Sequence, residues 1–214
     1  MLISQFLNSF PLSSLKLSSH KNIFLLSVFV QENKSSIKGL CQKLILSQIL
    51  NIKLKDCVTC HSSSLTETEV INGNGTYPVF GATGIISLTK DYQIDGDAIL
   101  IIKDGSGVGK VQYGKDKFSI IGTLNYLTAK EEINLKYIFF CLKFFNFQKY
   151  KVGSGIPHIY FKDYGESFIY RPSWGEQCKV EKLLSTVDEK INIEKKLLKR
   201  YKMQKQHFLQ NLFI

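Results

Sequence analysis

Paired cysteines, long apolar runs and recognisable catalytic motifs are all scarce in this 214-residue chain. Its five cysteines are an odd number at irregular spacing, so they supply no disulfide framework and read as the reduced thiols of a cytoplasmic protein. The apolar stretch Ile23–Val30 falls far short of the ~20 residues needed to cross a bilayer, so no membrane span is expected. Lys16 and Lys21 ahead of it imitate a signal peptide, but Gln31-Glu32-Asn33 stands where a small-residue cleavage site belongs. Cys57-Val58-Thr59-Cys60-His61 fits the spacing of c-type haem attachment, yet that chemistry needs export to an oxidising compartment and a distal ligand. No second Cys or His pair stands at metal-ligand spacing. Asp104–Lys110 (DGSGVGK) fails as a Walker loop, because Asp104 and Val111 occupy the places of its first glycine and its Ser or Thr. Four scattered histidines suggest no nucleophile and base pair, and Asp95, Asp97 and Asp104 read as turn residues at strand ends. No Asn-Pro-Pro-aromatic run of an adenine methyltransferase is present. These absences point to a chain that binds and positions without a cofactor or metal and does not catalyse.

What is there begins with a core: 44% apolar and 12% aromatic residues suffice for one globular domain plus an appendage. The net charge of +10 is unevenly spread. Residues 51–175 hold 14 basic and 12 acidic side chains, while 176–214 hold 9 and 5. Basic character in the globular part is therefore local, as expected where one face meets phosphates. Tyr150–Asp163 (YKVGSGIPHIYFKD) is its focus, a glycine-rich turn between aromatic segments. From Lys136 to Lys162 there are five lysines and no acid, which suits a polyanion. A second glycine-punctuated run, Tyr77–Gly84 (YPVFGATG), lies upstream.

Short apolar runs separated by Gly, Asn and Asp predict strands at 98–103, 110–113 and 118–121, with a turn at 114–117 between the last two. Leu135, Ile138, Phe139, Leu142 and Phe145 share one face, which predicts a core helix over 135–150. The expected fold is thus a mixed α/β domain of the α+β class. After it, Ser173 and Glu176 fit a capping box, and no Gly or Pro follows to the end. Val180, Leu184, Val187, Ile191, Leu198, Tyr201, Phe208 and Leu212 recur on alternating four- and three-residue steps, broken by Glu194 and Lys205. That is a coiled-coil seam, and a seam so long implies a partner helix.

Taken in order, YPVFGATG, the 99–110 strand and loop, the basic loop, Glu176-Gln177 and the ending KQHFLQNLF resemble the DNA specificity subunit of type I restriction-modification systems over roughly 52–214. The resemblance implies a DNA target-recognition domain at 51–175 and a coiled-coil spacer helix at 176–214. It also implies duplex DNA as ligand, and separate methylation and restriction subunits as partners that are directed to a split target. Lys38–Ile45 set against Gln206–Phe213, with Gln42 on Gln210, then reads as the end of a preceding spacer helix within an N-terminal segment 1–50. DNA contacts are expected from Lys151, Ser154, His158 and Lys162 on the basic loop, and from Tyr77, Thr83, Lys103 and Lys110 near the other two. Such subunits carry two recognition domains, so a half-length chain is expected to form a homodimer through antiparallel C-terminal helices and to read an interrupted palindrome. The competing expectation is an inactive remnant, or a coiled-coil interaction protein without DNA binding.

Overall fold

A computed structural model describes residues 37–71 and 73–211, so Ile23–Val30 and Leu212 lie outside the described residues. The described chain falls into two compact units, Lys38–Leu184 and a second that contains Ile37 and the chain from Ser185 on.

The first unit opens on helical backbone that ends in the π-helical turn Gln42–Leu46, where Cys41 and Ile45 share one buried face. There follow β1 (Ile52–Lys53), α1 (Leu54–Cys57), β2 (Val58–Ser62), α2 (Glu67–Val70), β3 (Tyr77–Gly81), β4 (Gly84–Thr89), β5 (Ile94–Asp95) and β6 (Ala98–Ile102). Next come β7 (Val111–Gly114), β8 (Lys117–Ile120), β9 (Leu124–Ala129), α3 (Leu135–Lys143), a 3-10 turn at Phe147–Tyr150, α4 (Phe161–Tyr164), β10 (Phe168–Ile169) and α5 (Trp174–Asn211). Two four-stranded sheets result. One runs β2-β9-β6-β7 and is wholly antiparallel; the other runs β4-β3-β8-β5 and pairs β3 with β8 in parallel.

β6 carries the core because both of its faces are covered. Ala98, Leu100 and Ile102 meet Val79, Phe118 and Ile120 of the other sheet, while strand alternation turns Ile99 and Ile101 toward the side where α3 packs. Burial on both faces is why the strand reads as a continuous apolar run. A separate two-stranded ladder, β1 with β10, joins the beginning of the unit to its end, and the Asn51 side chain exchanges two hydrogen bonds with the Arg171 backbone beside it.

The three predicted strands are present with ends shifted by one residue, and the chain turns between β7 and β8 as expected. The two strands do not pair with each other, however; at this turn the chain passes from one sheet to the other. Only glycine fits at position 114, since a Cβ there would meet the Phe118 ring at 2.5 Å. The predicted helix over 135–150 is shorter. It stops at Lys143, Phe144 leaves helical geometry, and the Asn146 side chain accepts from Gln148 N–H to start the 3-10 turn. Asn146 competes for the backbone where the apolar pattern runs on unbroken. Phe145 accordingly lies beyond the helix, its ring stacked on Tyr150 at 5.8 Å.

α5 begins where the capping pattern places it. Ser173 N–H and Oγ–H both donate to Glu176 Oε2, at 3.3 and 3.0 Å, and the helix runs unbroken for 38 residues. Along the predicted seam Leu184, Ile191 and the polar Glu194 are buried within the single chain, Val180, Val187, Leu198 and Tyr201 are half-buried, and Phe208 is 54% exposed.

Candidate nucleic-acid interface

Two of the glycine loops, distant in sequence, meet through the backbone. Gly105 N–H donates to Pro157 O at 3.0 Å and Ile159 N–H to Lys103 O at 2.9 Å, so Asp104 and His158 face each other as a pair between two ladder bonds. On its other edge His158 exchanges bonds with Val152, at 2.8 and 2.9 Å. His158 is therefore the middle of a three-stranded ribbon. The Asp104 carboxylate accepts from its Nδ1 at 2.7 Å. Gly109 presses the first loop onto the 3-10 turn: its φ is +85° and a Cβ would stand 2.6 Å from Phe147 Cβ. L side chains disfavour that φ, so loop and turn are held together by glycine geometry.

Most of the predicted contact residues gather around this junction. Lys103 and Lys110 bracket the first loop, Lys151 directly precedes the Val152 ladder, Ser154 is exposed at the tip of the second loop, and Lys162 is exposed on α4 with its ammonium 5.4 Å from the Tyr160 ring. Thr83 is exposed in the β3–β4 turn, which Gln112 ties to β7 by donating to Gly81 O at 2.8 Å. Tyr77 stands apart. It occupies the far end of β3, roughly 13 Å from the turn by strand rise, and its ring packs edge-on against Tyr92 at 5.0 Å, with Lys117 over that second ring.

The five lysines from 136 to 162 are not one patch. Lys136 pairs with Glu181 at 3.8 Å, Lys143 lies over the rings of Phe139 and Phe140, and Lys149 lies over Tyr150 at 4.9 Å. Lys151 and Lys162 are the two that flank the loop. Asp104, which reads as a turn acid, is the residue sequence reasoning missed; its place at the end of a buried strand was the available signal. The haem-like run resolves differently. Cys57 is fully buried, His61 stacks on Tyr126 at 4.6 Å and shares a hydrogen bond with Thr128 Oγ1. Burial pushes both the Cys57 and Cys60 thiols up to about 11, the charge of Lys103 opposing this at Cys60, so both stay protonated and unreactive at neutral pH.

Residues 47–202 match the family model described as type I restriction modification DNA specificity domain. Over 147 residues the chain is 24% identical to the type I restriction enzyme EcoprrI specificity subunit of Escherichia coli, covering 69% of this chain and 36% of that protein. Its fold is similar to that of the type I restriction-modification S subunit from M. genitalium, with a TM-score of 0.75 and 20% identity over 92% of this chain and 58% of that one. The HsdS subunit from Thermoanaerobacter tengcongensis is similar at a TM-score of 0.61 and 15% identity, over 91% and 54% of the two chains. The chain thus spans little more than half the length of these structural relatives, and about a third of the curated one.

Proposed function

The chain belongs to the type I restriction modification DNA specificity domain family, and on that premise we propose that it is a sequence-specific DNA-binding subunit that directs methylation and restriction subunits to a split target. Catalysis belongs to those partners, and the chain itself needs no cofactor. The observation that carries the reading is the joining of two glycine loops through Asp104 and His158, with Lys103, Lys110, Lys151 and Lys162 around them. Lysines in such a setting hold phosphates, and the polar groups between them are within reach of base edges, which is the division of labour that DNA reading requires. Residues 51–175 are the recognition domain in this proposal, and α5 is the spacer that sets the distance to the second half-site. A second copy, joined through the seam, would supply that half in the cytoplasm.

Binding should therefore run through phosphates first. Clamping about four of them gives a slope of log K against log salt near −4 on duplex DNA, and Lys151→Ala should lessen that slope by about one without altering sequence preference. Titrating labelled duplex across a salt series measures both. A flat salt response would sink the DNA reading in favour of a coiled-coil interaction protein.

A further inference from the structure

We infer that Asp104 is a positioning residue that sets His158 to accept a hydrogen bond from a base amino group, cytosine N4 or adenine N6, in the major groove; the inference rests on the DNA-reading role proposed above. The His158 backbone is pinned on both edges, to Val152 on one side and between the Gly105–Pro157 and Ile159–Lys103 bonds on the other. A facing pair that sits between two ladder bonds brings its side chains closest, which is how Asp104 Oδ1 comes to lie 2.7 Å from His158 Nδ1. A carboxylate only accepts, so the hydrogen of this bond resides on Nδ1. In the neutral imidazole, the form on which the inference depends, that single N–H leaves Nε2 with its lone pair, whereas an imidazolium would carry hydrogen on both nitrogens. Nε2 makes no hydrogen bond among the described residues, and the His158 side chain is 36% exposed. A fixed acceptor of this kind is wrong for phosphate, which also only accepts. It fits the edges of cytosine and adenine, which present amino donors in the major groove, and opposes guanine and thymine, which present acceptors there.

Asp104→Asn is expected to reverse the arrangement, the amide turning its Nδ2–H toward Nδ1 so that the hydrogen moves to Nε2. Nitrogen-15 spectra of the full chain, with the His158 signals identified by their loss in His158→Gln, should show hydrogen on Nδ1 in the wild type and on Nε2 in Asp104→Asn. Selection from a pool of randomised duplex DNA should then show the wild type enriching C or A at one position. Asp104→Asn should lose that preference by roughly tenfold, the size of one base contact, while its affinity for the unselected pool rises because a negative charge has left the loops. Hydrogen on Nε2 in the wild type would overturn the inference before any DNA is added. So would an unchanged base preference in the variant, or a loss of pool affinity in step with the loss of preference, which marks a merely structural acid. Absence of any salt-dependent pool binding by the wild type would instead remove the DNA reading, and this inference with it.

Discussion

Gln177 holds the start of the long helix to the domain. It is 1% exposed, donates through Nε2 to Glu132 O and Pro172 O, and accepts through Oε1 from Asn134 N–H at 2.9 Å. Every polar group of its amide is used, and the segments before α3 and before α5 are tied to one side chain. Gln177→Leu leaves the buried Pro172 carbonyl without its partner and the half-buried Asn134 N–H short of one, so a loss of about 1–3 kcal/mol in urea unfolding is expected; a loss under 0.5 kcal/mol, the ordinary range of surface changes, would show that the amide anchors nothing. The anchoring itself was not legible in the sequence, where Gln177 stood out only beside Glu176 in the pair that opens the helix. The same holds for Asp104 and His158, which stand 54 residues apart and show their relation only once the 103–105 and 157–159 segments lie side by side. What could be read at single positions was local: Ser173 with Glu176, whose bonding depends on neighbours three residues away.

β6 and α5 were readable for the same reason, that their own composition determines them. Five consecutive apolar residues buried on both faces make a strand, and a capping pair followed by an apolar stripe on four- and three-residue steps with no proline makes a helix. Pairing was not readable. β7 and β8 look like the arms of one hairpin across 114–117, yet they join different sheets, because Phe118 must reach the shared core and its ring takes the space over Gly114. Gly114→Ala should therefore act on the crossing itself: the new methyl meets the ring, and about 1–3 kcal/mol of stability is lost. Phe118→Leu should relieve part of the clash, so the pair of substitutions is expected to be less damaging than their sum, as a double-mutant cycle by thermal melting will read. Strict additivity would mean that the ring and the glycine are not in conflict.

The seam on α5 is partly satisfied already, which changes how self-association should be tested. Leu184 and Ile191 are buried in the single chain, so charges placed there would unfold it, whereas Met203, Phe208 and Leu209 remain 54%, 54% and 44% exposed. If two copies join through the seam, Phe208 is its open position, because Met203 and Leu209 are turned away from it at about 100° per residue around the helix. Light scattering at tens of micromolar should give twice the 24.4 kDa of one chain, and Phe208→Asp should return it to one; a wild-type monomer under those conditions would refute the pairing. β1 and β10 also order events in time. Ile52 cannot find Ile169 until nearly the whole of the first unit has been synthesised, whereas Val58 can meet its partner Ala129 well before that. Contacts so far apart along the chain close slowly, over milliseconds to seconds, whereas a helix of local bonds zips in about a microsecond. Closure of the Lys38–Leu184 unit is thus a late event in the life of each new chain, and until it happens β1, whose one partner strand is β10, stands open to any other strand that passes.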